Sequence, residues 1–213
     1  MGFLSRHTGG VVDDGNVAET SVAQRRAAAA VAGHDGDEAT ARTLLVDLAA
    51  AVRASALGAL ARMGAAGDGD VAAGLADPDP TVRRRALDVA IAHPAVALLP
   101  LLHDEDPSVV EQAAWACGER VPPEKGAVEA LAVIAITHED ALCREAAVAA
   151  LGAIGDPAGL PAVLAATGDK ATVRRRAVIA LAPFDGPAVE DALRRALEDR
   201  DWQVRQAAED QLA

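Results

Sequence analysis

The segment Asp79-Pro80-Thr81-Val82-Arg83-Arg84-Arg85-Ala86-Leu87 returns almost letter for letter at Thr172-Val173-Arg174-Arg175-Arg176-Ala177-Val178, and this recurrence constrains the fold more than any other feature. With Val82 as the zero position, equivalent slots fall on Gln24, Val52, Val82, Val109, Cys143, Val173 and Val204. The spacings are 28, 30, 27, 34, 30 and 31 residues. A period of about 30 residues marks an array of short units, none of which buries its apolar face without its neighbours.

Each copy carries its own helix signals. Asp79 supplies a side-chain acceptor for free N–H groups at a helix start, and Pro80 has no donor to leave unpaired at the first helical position. Asp106-Pro107 repeats the signal, and Asp140 and Asp201 hold the same slot without proline. Small residues follow four positions after zero (Ala86, Ala113, Ala147, Ala177, Ala208). Apolar ones follow at eight (Leu60, Ala90, Cys117, Leu151, Leu181, Leu212). Positions four apart share one helical face, so this stripe is the expected core side.

Upstream of each zero position lies a second apolar segment, read from the pairs Val71/Leu75, Leu98/Leu102, Ala132/Ile136 and Leu193/Leu197. Asp47, Asp77, Asp104 and Asp199 stand five before zero, where a short turn reverses the chain. Each unit is therefore a helical hairpin. The expected units are 16–36, 37–66, 67–93, 94–121, 122–155, 156–185 and 186–213, in one domain over 16–213. Residues 1–15 form a loose tail, or dock through Phe3 and Leu4. Gln24, standing where valine is usual, and Gln211 mark the terminal copies as polar caps. The 34-residue spacing puts the longest connection at Val121-Pro122-Pro123-Glu124-Lys125-Gly126.

An apolar helix, an aspartate, a short turn and a Val-Arg-x-x-Ala helix together resemble the HEAT-like repeat of the phycobilisome-lyase type, over residues 16–213. The resemblance implies an all-α fold, an α-solenoid. Arginine follows zero at Arg25, Arg53, Arg83, Arg144, Arg174 and Arg205, whereas Val110 breaks the series. In similar repeats this arginine pairs with turn carboxylates and neighbouring units. Arg53, Arg83, Arg144, Arg174 and Arg205 are thus expected to form a structural ladder with carboxylates such as Asp77, Asp104 and Asp199.

Aromatics make up only 2% of a chain that is 51% hydrophobic, so the core must be built from Ala, Leu and Val. The net charge of −12 opposes nucleic-acid binding, which needs clustered Lys and Arg to displace counterions. Among 20 basic residues only Lys125 and Lys170 are lysines. That bias resembles cytosolic proteins of salt-accumulating halophiles and points to a halophilic archaeon, though a GC-rich genome without high salt gives a similar bias. High net charge favours a monomer. Apolar runs such as 95–102 and 127–136 are too short to span a bilayer and no signal peptide is read, so the expected location is the cytoplasm, away from membranes. Cys117 and Cys143 fall on core-facing slots as free thiols.

No phosphate loop is present: Gly64, Gly67 and Gly69 lack a preceding strand and the Gly-Lys-Ser/Thr ending. Ser21 and Ser108 read as helix caps, not nucleophiles. His34-Asp35, His103-Asp104 and His138-Glu139 invite comparison with HEAT-like di-iron hydroxylases, but only one is His-Glu and they do not share a slot. No catalytic residue, metal or cofactor is expected. The function expected is a non-enzymatic scaffold or adaptor that binds another protein. The alternative is a lyase-type enzyme or accessory subunit with a bilin-like or metal site.

Positions two and six after zero project away from the zero, four and eight stripe at about 100° per residue. They include Arg84, Glu111, Glu145 and Arg175 at two, and Gly58, Asp88, Trp115, Ala149, Ile179 and Asp210 at six. Trp115 is out of place on a solvent face. The expected partner-binding residues are Trp115, Glu111, Arg175 and Ile179, with Arg84 and Arg85 near Trp115. The alternative packs Trp115 against the 120–126 connection.

Overall fold

Asp79 receives the Thr81 amide at 2.8 Å, and Asp106, Asp140 and Asp201 receive those of Ser108, Leu142 and Gln203, so four helices begin where the acidic slot places them. Gly64 and Gly155, both at φ 67, close two helices, the latter the one that Asp140 begins, in the left-handed conformation that releases the chain from a helix. The computed structural model describes residues 14–213, with side chains from Ser21 onward. The expectation for the tail concerns residues that, up to Asp13, lie outside the described ones.

The described residues are all-helical, without strands, and have the α-solenoid fold. They run α1 (Asp14–Asp35), α2 (Glu38–Leu44), α3 (Ala50–Met63), α4 (Asp68–Leu75), α5 (Pro80–Ala90), α6 (Pro107–Glu119), α7 (Ala127–Thr137), α8 (Ala141–Ile154), α9 (Leu160–Ala166), α10 (Ala171–Ala180), α11 (Pro187–Ala196) and α12 (Trp202–Leu212). Two compact units divide the chain, one ending at Ala65 and one spanning Ala66–Ala213; the boundary follows the left-handed Gly64, whereas the repeat pattern alone treats 16–213 as one domain. In the first unit α1 and α2 pack on α3. In the second, α5, α6, α8, α10 and α12 pack in succession, with α4, α7, α9 and α11 as their partners.

The core is the stripe read from the repeat. Val52, Val82, Val109, Cys143, Val173 and Val204 are buried, as are Ala86, Ala113, Ala147, Ala177 and Ala208 and, at position eight, Leu60, Ala90, Cys117, Leu151 and Leu181. Burying a leucine such as Leu151 stabilises by about 2 kcal/mol.

Neighbouring helices reach backbone contact at two glycines of the second unit. A Cβ on Gly118 would lie 2.8 Å from the Ala150 Cα, and one on Gly152 would lie 2.7 Å from the Ala180 Cα. The glycines follow zero by nine positions and the alanines by seven, so one rule brings α6 against α8 and α8 against α10.

Several expectations are corrected. The first copy is one continuous helix, because its Ala-rich sequence from Asn16 to Ala32 has no Gly or Pro to break it. Among the described residues no separate upstream helix packs there; Gln24 and Ala28 face solvent and the buried positions are Ala29 and Ala32. In the fourth copy the upstream segment is a five-residue 3-10 turn, Leu99–His103, since Pro100 cannot sit inside an α-helix; Leu98 and Leu102 are still buried. In α7 the buried set is Ala127, Leu131, Ile134 and Ala135, and Ile136 is 58% exposed. Leu212 is half exposed, because among the described residues no further helix covers the last turn of α12. Gly58 is buried and not on an open face. Neither serine caps: Ser21 lies inside α1 and accepts from Arg25, and Ser108 donates its hydroxyl to Asp106, the actual cap.

Candidate partner-binding face

Three of the arginines that follow a zero position, Arg83, Arg144 and Arg174, each fasten two turns at once. Arg83 donates from Nε and Nη2 to both carboxylate oxygens of Asp104, at 2.8 and 2.7 Å, and from Nη1 to the carbonyls of Asp77 and Pro78 in its own turn. Arg174 repeats this with Asp199, at 2.8 and 2.7 Å, and the Asp169 carbonyl. Arg144 reaches Asp169 at 2.6 and 2.7 Å and the carbonyls of His138 and Glu139. Arg205 holds the Asp199 carbonyl. In the first unit Arg25 pairs with Asp47, and Arg53 holds the carbonyls of Asp47 and Leu48.

The carboxylates in turn accept the amide two residues on: Ala49 for Asp47, Asp79 for Asp77, Asp106 for Asp104, and Asp201 for Asp199. Hydrogen bonds from the guanidiniums of Arg25, Arg144 and Arg174 hold Asp47, Asp169 and Asp199 below the ordinary carboxylate range. Asp169 stands four before zero, one residue off the slot of its equivalents, and the fixed-offset reading therefore missed it.

The bidentate rungs lie at the turns and leave the faces of the second helices open. Glu111, Trp115 and Glu119 form one i, i+4 ridge on α6, and opposite it α8 presents Leu142, Glu145, Ala146, Ala149 and Ala153. Between them lies a cleft of about 700 Å³. Small side chains on α8 leave the space, and Gly118 against Ala150 holds the two helices together at one end. Trp115 is 42% exposed. Arg176 enters from α10 and meets Glu145 at 3.5 Å.

Arg84 and Arg85 do not border this cleft. Both are exposed on α5, and Arg85 pairs with Asp88 at 3.0 Å, an i, i+3 partner on its own helix. The 120–126 connection is held by another residue, one the repeat pattern does not reveal. Arg120, 3% exposed, donates to the carbonyls of Ala90, His93 and Val96 and meets Glu124, whose carboxylate also accepts the Leu98 amide.

Arg175 and Ile179 lie further along the same face. With Gln206, Asp210 and Trp202 they border a second cleft, of about 430 Å³, between α10 and α12. Trp202, 65% exposed at the start of α12, precedes zero by two, and a search confined to positions two and six passes over it. Glu119, Leu142 and Arg176 were missed for the same reason.

The groups with chemical potential lie elsewhere. Burial pushes the Cys117 thiol up to about 12 and the Cys143 thiol up to about 11, so both are neutral, and Cys143 donates to the Pro107 carbonyl. His34 and His103 are exposed, while the His138 Nδ1 accepts the Asp140 amide at 3.1 Å. Among the described residues no three His, Cys, Asp or Glu side chains gather where they could hold a metal ion. No described helix is long and apolar enough to cross a membrane.

Fold and face define a member of the α-solenoid class, built from stacked helical hairpins. Residues 95–182 match the HEAT repeats family and residues 173–199 the PBS lyase HEAT-like repeat, so this part of the chain is similar to HEAT-like repeats. No curated protein matches the sequence. Among solved structures, one engineered protein is 20% identical, covering 83% of this chain and 97% of its own at a TM-score of 0.60. Another, also 20% identical, covers 83% and 95% at 0.56. Human deoxyhypusine hydroxylase is 21% identical over 88% of this chain and 77% of its own, at 0.47, too distant to bear on activity.

Proposed function

We propose that the protein is a non-enzymatic interaction scaffold that binds a partner protein along the face presented by α6, α8, α10 and α12. The carrying observation is Trp115, a large apolar side chain left 42% exposed beside an open cleft while alanines, leucines and valines fill the core. Exposed tryptophan and arginine are favoured interface anchors. Its four-residue offsets from Glu111 and Glu119 give that anchor a polar rim.

The test is capture from native cell extract by wild type and by Trp115→Ala, with each captured protein identified and then titrated pairwise against both. Trp115→Ala leaves the thermal melt almost unchanged and costs the complex about 2 kcal/mol or more. A large loss of stability, or unaltered affinity for the identified partner, assigns Trp115 to packing. Stoichiometric binding of a bilin or a transition metal would overturn the non-enzymatic reading in favour of a lyase-type role.

A further inference from the structure

The cleft between α6 and α8 has a floor and a rim of different chemistry. Its floor is Ala146, Ala149 and Ala153, with Leu142, 55% exposed, at one end and the Trp115 indole along one side. Its rim carries Glu111, Glu119 and Glu145 against a single cation, Arg176, which faces Glu145. Among the described residues Glu111 and Glu119 have no ion-pair partner, in a molecule whose turn carboxylates are matched to arginines. They stand four residues to either side of Trp115, about 12 Å apart along the helix.

A π-face flanked by two unmatched carboxylates attracts a cation on a long apolar stem. Arginine and lysine have that shape, and the alanine floor gives an extended backbone room to approach. The negative rim repels nucleic acid and anionic lipid, which present phosphates. We infer that the α6–α8 cleft takes an extended basic segment of the partner protein, with an arginine or lysine stem on the Trp115 indole and its charged head between Glu111 and Glu119. This deepens the scaffold reading and rests on it.

The test uses the full chain with Trp202→Phe, so that Trp115 is the only indole. The probes are three short synthetic peptides on one Gly-Ser frame, carrying Leu-Arg-Leu-Arg, Leu-Glu-Leu-Glu or Leu-Gln-Leu-Gln, titrated by tryptophan emission. The arginine peptide binds and shifts the emission, and the other two bind at least about tenfold more weakly. Glu111→Gln with Glu119→Gln weakens the arginine peptide about tenfold at an unchanged melt, whereas Glu190→Gln with Asp191→Asn on α11 leaves its affinity unaltered. Equal binding of the three peptides, equal losses from the two pairs of substitutions, or no binding of the arginine peptide would each overturn the inference. If the arginine peptide fails while capture of the identified partner still depends on Trp115, the basic-segment inference falls and the scaffold reading stands. If capture is also indifferent to Trp115, both fall.

Discussion

Val110 and His138 occupy the two ends of one rung: Val110 stands where Arg83 and Arg174 stand in their copies, and His138 where Asp104 and Asp199 stand. Arginine and carboxylate are absent together. Losing only one would leave a charge in a turn where its equivalents are 8 to 15% exposed, a cost the paired replacement avoids. His138 keeps the local half of the role, since its Nδ1 accepts the Asp140 amide as the aspartates accept theirs.

Breaking an intact rung is therefore expected to be costly. Arg83→Ala strands the Asp104 carboxylate, and with side chains only 9% and 8% exposed the loss should approach about 3 kcal/mol. Arg194→Ala removes pairs to Glu190 and Asp191 that are about 60% exposed, and should cost under about 0.5 kcal/mol. Denaturant midpoints of the two variants check the contrast, and equal losses would refute the structural role of the ladder.

Acid acts on the same rungs. Because Asp169 and Asp199 have folded pKa values depressed below the ordinary 3.8, their pairs contribute stability above that pH and lose it as pH falls through the folded values. Wild type should lose midpoint on acidification below about pH 4, and Asp199→Asn, weaker at neutral pH, should lose less over the same interval. Thermal melts across that range read the difference directly.

Gly152→Ala tests the close approach of α8 and α10. Helix propensity alone favours alanine by about 1 kcal/mol. The added methyl would meet backbone at 2.7 Å, and backbone cannot move aside as a flexible side chain does. Overpacking should win, with a net loss of about 1–3 kcal/mol in the melt. A stabilised variant would show that the helices separate at little cost.

Salt should stabilise the fold. The 32 acidic groups outnumber 20 basic ones, and at 1 M ionic strength screening acts over about 3 Å, which relieves repulsion between exposed carboxylates while sparing the buried rungs. Melting in dilute and in molar KCl checks this, and an unchanged or lower midpoint in molar KCl counts against a halophilic source.

The sequence by itself determined what lies within one helix or one turn. The acidic slots became caps at Asp79, Asp106, Asp140 and Asp201, and the zero, four and eight stripe became the core, because a helix repeats its faces at a spacing set by its own geometry. Trp115 could be placed on the open face for that reason. Only the tertiary structure decided how one copy meets the next. The offset of Asp169, the Arg120 anchor under the 120–126 connection and the Gly118–Ala150 approach follow from distances between helices. The cleft beside Trp115 does too: its lining comes from α6, α8 and α10, and its volume depends on how far small side chains let those helices close.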